Sequence, residues 1–228
     1  MRIILEENLK KKLLSLYHLL KTQHGTLRWW PADTPFEVAL GAILTQATAW
    51  RNVEKAIDNL KTADVFTPEQ IHAISQDELE ELLRPSGYYK MKTKKVRAYV
   101  KHIMKRPMQV MFKQDVPELR DELLSIYGVG PETADSIILY AAEKPSFVVD
   151  TYTYRLISRL GWVEGNFHYE RLRALFMDNL SHNVDLFNEY HTLIVRHGAR
   201  VCKKTPQCIA CSLQANCTFF RKNLSRVI

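Results

Sequence analysis

Cysteine is absent from the first 201 residues, and then four cysteines fall within residues 202–217. The chain has no run near the roughly 20 apolar residues that cross a bilayer. No apolar stretch follows Met1-Arg2, and charge begins at Glu6. These absences argue against a signal peptide and a membrane span, and the expectation is a cytoplasmic protein, nucleoid-associated in a prokaryote. Thiols stay reduced there, so the cysteines are metal-ligand candidates before they are disulfide candidates. Glycine is sparse, 8 in 228 residues. Low-complexity tracts are missing and strand-like alternation is scarce, which argues against fibrous, disordered and sheet-built classes.

Acidic residues are missing from two stretches. None lies between Tyr190 and Ile228, where Arg196, Arg200, Lys203, Lys204, Arg221, Lys222 and Arg226 stand. Those seven equal the whole net charge of +7. None lies between Pro85 and Gln114 either, which holds nine lysines and arginines. One such run is as well explained by a solvated helix face, but two on one small chain point to nucleic acid.

Helical periodicity dominates what is present. Leu9, Leu13, Leu14, Tyr17 and Leu20 form one stripe. "TPFE" at 34–37 reads as a capping box, with Thr34 as N-cap, Pro35 at the first helical position and Glu37 returning to the cap. "SQDE" at 75–78 repeats the device. Val96, Val100 and Ile103 give the lysine-rich segment an apolar face, which would turn its basic residues outward. Further helices fit 118–127, 131–142, 151–160, 168–179 and 186–198. The pattern is all-α with short connections and no internal repeat.

Three segments carry chemistry. "LLSIYGVGPETADSIILYAA" (123–142) reads as two apolar helices joined by Gly128-Val129-Gly130. Glycines there allow positive φ and close approach of another backbone, and the next helix start offers N–H groups to a phosphate. Val129 would plug the turn into the core. In "PSFVVDTYTYR" an apolar run ends at Asp150, which either caps the following helix or, ionised there, serves as an electrostatic catalyst. Cys202, Cys208, Cys211 and Cys217 are spaced C-x5-C-x2-C-x5-C. Zinc sites more often pair two short knuckles across a longer loop. Four thiolates on one compact loop suit a cubane 4Fe-4S cluster, with zinc and disulfides as the alternatives.

"PFEVALGAILTQAT", "LLSIYGVGPETA", "VVDTYTYR" and the cysteine cluster, in that order between Thr34 and Cys217, resemble the endonuclease III family of helix-hairpin-helix DNA glycosylases. The resemblance implies a two-lobed all-α fold. A six-helix barrel lobe (34–145) would hold the hairpin; residues 1–33 and 146–228 would form the second lobe, with the 4Fe-4S loop at 202–217. The implied partner is double-stranded DNA containing a damaged base, kinked across a cleft, with one nucleotide flipped out, and bound by a monomer. Asp150 matches the catalytic aspartate. Gly128, Val129, Gly130 and Thr133 match the hairpin that grips the DNA backbone, and Gln46 the glutamine that fills the gap left by the flipped base. Lys203 and Lys204 lie in the first ligand gap, where a rigid loop would push them toward a phosphate. The family's usual first gap is six residues; here it is five and contains Pro206.

One departure selects a mechanism. Where bifunctional members carry the lysine that forms a Schiff base, this chain has Glu132, and a carboxylate forms no imine. The expectation is a monofunctional glycosylase using water. Trp29, Trp30 and Pro31, with Trp50, would wall an aromatic pocket suited to an electron-poor ring. These features and Glu132 resemble the 3-methyladenine glycosylase branch, so alkylated purines are the expected substrates. The alternatives are a thymine or uracil mismatch glycosylase, an endonuclease III-like glycosylase/lyase, and a non-catalytic DNA-binding scaffold.

Overall fold

Leu13, Leu16 and Leu20 are 0–2% exposed on helix α1, Leu9–His24, in the computed structural model, which describes residues 1–3, 8–27 and 32–223. The expected all-α class holds: among the described residues strands are limited to a two-residue ribbon, β1 (Arg2–Ile3) against β2 (Val163–Glu164), antiparallel. The chain divides into two compact units, Trp30–Lys144 and Met1–Trp29 with Pro145–Ile228.

The first unit is built around α2 (Pro35–Leu44), whose residues from Glu37 to Leu44 are all buried. Thr34 caps it as its spacing predicts, accepting from the Glu37 N–H at 3.1 Å. The box does not close, however. The Glu37 carboxylate accepts from the Asp33 N–H (3.0 Å) and pairs with Lys61 (2.8 Å). A carboxylate only 4% exposed needs a cation more than it needs a second backbone donor. Full capping boxes do form at Ser75/Glu78 and at Thr67/Gln70. The helices α3 (Trp50–Thr62), α4 (Pro68–Ala73), α5 (Gln76–Leu83), α6 (Tyr89–Lys105), α7 (Met108–Met111), α8 (Val116–Leu124) and α9 (Pro131–Ser136) follow. α9 runs on into a buried π-helical stretch, Ile137–Ala141, where a continuous α-helix to 142 was expected.

The outward reading of the lysines on α6 fails at one position. Lys92 is 2% exposed, and its ammonium donates to the carbonyls of Leu44 (2.7 Å) and Ser86 (2.6 Å). Charge counting along a helix cannot see that a carbonyl at the end of α2 needs a donor.

In the second unit α10 (Thr151–Leu160) and α1 pack on α12 (Val184–Arg200), joined by α11 (Tyr169–Met177) and α13 (Thr218–Lys222). Phe147, Phe176, Phe187 and Tyr190 cluster with ring centroids 4.0–5.7 Å apart. Gly198 sets the approach of α10 to α12: a Cβ there would lie 2.5–3.0 Å from Tyr152. The Arg155 guanidinium bridges the same pair by donating to the Gly198 and Cys202 carbonyls, both at 2.8 Å.

Candidate nucleic-acid interface and active site

The turn between α8 and α9 uses its two glycines differently. Gly128 sits at φ +86°, and a Cβ there would collide with the Lys95 side chain. Gly130 is extended at φ −93°, so only Gly128 uses the positive φ that glycine allows, and a Cβ at Gly130 would meet nothing within 4 Å. Nothing among the described residues therefore requires a glycine at 130. Gly130 is also the N-cap of α9, so that helix start lacks a capping side chain. Val129, 6% exposed, plugs the core as expected, and Arg120 locks α8 to α9 through both oxygens of buried Asp135 (3.0 and 3.2 Å).

Gln46 and Thr133 are brought to this turn. The Gln46 amide donates to the Gly128 carbonyl (2.9 Å) and the Thr133 hydroxyl (3.0 Å), and its oxygen accepts from Lys95. Ala47, next in the chain, is held at φ +55°, a left-handed position that costs a non-glycine residue about 1–2 kcal/mol. Tyr88 is held likewise at φ +48° and is 75% exposed at the head of α6, with exposed Lys90 and Lys94 on the same helix. The part Lys95 plays here is not visible in the sequence, because only folding carries α6 to the hairpin. Trp50 opens α3 and its indole N–H donates to Glu54 at 2.8 Å, while Glu132 is exposed on the first turn of α9. Trp29, Trp30 and Pro31 lie outside the described residues.

Asp150 ends a buried run, Phe147–Val149, and caps α10. Its Oδ1 accepts from the Thr153 N–H (2.7 Å) and hydroxyl (2.8 Å), while Oδ2 faces His191 Nε2 of α12 at 3.8 Å. Burial alone would raise its pKa. The His191 interaction, then the Thr153 donors, outweigh this and hold the carboxyl below its ordinary value. Capping and an ionised, reactive oxygen are thus compatible: one oxygen serves the helix and the other does not.

The four cysteines form no disulfide with one another and line one cavity walled by Leu156, Leu160, Leu213, Phe219 and Phe220. Among the described residues no group of three or more His, Cys, Asp or Glu is disposed around a single ion. Burial pushes the Cys211 thiol up to about 11 and Cys208 upward as well. Sulfur-directed donors surround them: the Leu213 N–H to Cys211, the Phe220 N–H to Cys217 (both 3.4 Å) and Arg159 to Cys202 (3.2 Å). Arg159 also donates to the carbonyls of Lys203 and Lys204, fixing the loop that carries those lysines.

Comparison with known proteins gives consistent matches. The profile of the HhH-GPD superfamily base excision DNA repair proteins matches residues 40–182. A Methanocaldococcus jannaschii protein provisionally named a DNA repair glycosylase is 42% identical, over 93% of this chain and 99% of its own. Endonuclease III of Thermotoga maritima is 30% identical over 82% of this chain and 84% of its own. The solved 3-methyladenine DNA glycosylase of H. pylori, bound to 1,N6-ethenoadenine, is 31% identical with a TM-score of 0.69, covering 82% of this chain and 94% of that one. A trapped endonuclease III–DNA covalent intermediate shares the fold, with a TM-score of 0.80, 23% identity, and coverage of 94% and 98%.

Proposed function

The chain belongs to the HhH-GPD superfamily of base excision DNA repair proteins, and on that premise we propose a monofunctional DNA glycosylase that hydrolyses the N-glycosidic bond of a flipped, damaged base. The observation that carries the chemistry is Asp150, whose Oδ2 is ionised and not spent on the cap. Water attacks the sugar C1′ as the C1′–N bond breaks. The bond's electron pair leaves with the base, and Asp150 stabilises the oxocarbenium-like sugar or takes the water's proton. Gly130 and the start of α9 would receive a DNA phosphate, since no internal contact explains that glycine. Gln46, tied to the hairpin by two hydrogen bonds and to Lys95 of α6 by a third, would exchange those bonds to fill the space the flipped base leaves.

Glu132 in the lysine's place supports hydrolysis over strand cleavage. The 31% identity to a 3-methyladenine glycosylase, with Trp50, supports alkylated purines as substrate; such bases are good leaving groups that need little acid catalysis. Incubation with methylated, uracil-containing and T/G-mismatched duplexes, with released bases separated chromatographically, tests this. Release of methylpurine alone is expected, with no borohydride-trapped complex. Asp150→Asn should slow release by about 10²-fold or more; an unchanged rate would refute the mechanism.

Cys202, Cys208, Cys211 and Cys217 fit a 4Fe-4S centre. They line one enclosure, and the sulfurs of Cys202, Cys211 and Cys217 accept N–H donors suited to thiolates, which supports a cluster held by the four cysteines. Bound there, the cluster would cross-link residues 202–217; iron and sulfide assays of the purified protein check it.

A further inference from the structure

Resting on the reading of Asp150 above, we propose that His191 is the positioning residue of the hydrolytic reaction, holding Asp150 Oδ2 ionised and in place. Asp150 Oδ1 is fully engaged by Thr153, so the carboxylate plane is set by the cap while Oδ2 looks across to α12. There it meets His191 Nε2 at 3.8 Å, with both side chains nearly buried, 13% and 10% exposed. That spacing is a built feature. Gly198 lets α12 approach Tyr152, and Arg155 clamps the same two helices through the Gly198 and Cys202 carbonyls.

At 3.8 Å the pair is too long for a hydrogen bond and within reach of one. Catalytic hydrogen bonds are often long in the free enzyme and tighten when substrate binds. Among the described residues, four other charged groups near these helices are directed elsewhere. Arg159 donates to the carbonyls of Lys203 and Lys204, Glu164 of β2 is exposed, and Arg221 of α13 lines a groove at Gly161, the far end of α10. Glu189 of α12 accepts from Lys21 at 2.8 Å. Among the described residues, His191 is the titratable group that faces Asp150 Oδ2. It would keep that oxygen charged as pH falls, orient it for water, and never touch the sugar.

The test is single-turnover base release from a methylated duplex between pH 5 and 9, for wild type, His191→Leu, His191→Asn, Asp150→Asn and the Asp150→Asn/His191→Leu double variant. His191→Leu should slow release about tenfold at low pH and move the acid limb to higher pH. Affinity for undamaged duplex should be unchanged. His191→Asn, which restores an N–H donor, should recover most of the rate. In the Asp150→Asn background the leucine should cost nothing more. A His191→Leu acid limb superimposed on wild type overturns the proposal, as does the same loss in both backgrounds. A wild type that releases no base overturns the glycosylase reading itself, a separate outcome. Poor folding of His191→Leu shows as a lowered melting temperature, and the His191→Asn pH profile then decides alone.

Discussion

Gly128 and Gly130, two residues apart, hold different backbone conformations, and substitution should separate them. Alanine at 128 meets both a left-handed backbone and the Lys95 side chain, so Gly128→Ala should lose about 1–3 kcal/mol in a denaturant melt. Alanine at 130 meets no atom of the protein at an ordinary φ, so Gly130→Ala should stay within about 0.5 kcal/mol of wild type. If a DNA backbone closes on Gly130, its duplex affinity should still fall about tenfold by fluorescence anisotropy. A loss of stability at 130 with intact DNA binding would reverse the assignment. The sequence shows GxG but not which glycine serves the fold, because the decisive neighbour, Lys95, is more than thirty residues away.

Among the elements, α6 shows why a local reading succeeds and where it stops. Its apolar face of Val96, Val100 and Ile103 is buried as the period requires, since that period is a property of the helix itself. The role of Lys92 is not a helix property: it depends on where α2 ends and on the carbonyls left open there. The same limit hid His191, forty-one residues from Asp150, while Asp150 itself was legible as a residue ending an apolar run. Lys92 also gives a pH signature. Burial, then the charge of Lys95, push its pKa down to about 8, against 10.5 for an ordinary lysine. Below 8 the folded protein carries a buried ammonium at a cost; between 8 and 10.5 the folded state sheds its proton first, so this group's contribution to stability rises. Relative to Lys92→Met, wild type should gain on the order of 1 kcal/mol per pH unit over that window, measured by urea unfolding. Parallel profiles for the two proteins would show that the amine titrates normally.

At the scale of the molecule the excess charge is concentrated. The stretch from Tyr190 onward holds seven basic residues and no acid, and Lys203 and Lys204 sit in a loop held by the Arg159 donors beside the enclosure that the four cysteines line. If these lysines meet phosphates, each contributes roughly one unit to the slope of log affinity against log salt. Replacing both with alanine should reduce that slope by about 2, with base release at saturating protein unchanged. Cys208→Ser removes one of the four proposed ligands while leaving both charges in place. If the bound centre is what presents the lysines, the serine variant should lose iron and show the same reduced slope as the lysine variant. Combining the changes should then give no further reduction, because both act on one contact. A Cys208→Ser protein that loses iron yet keeps the wild-type salt slope would mean that Arg159 and the loop's own hydrogen bonds suffice to present the charges.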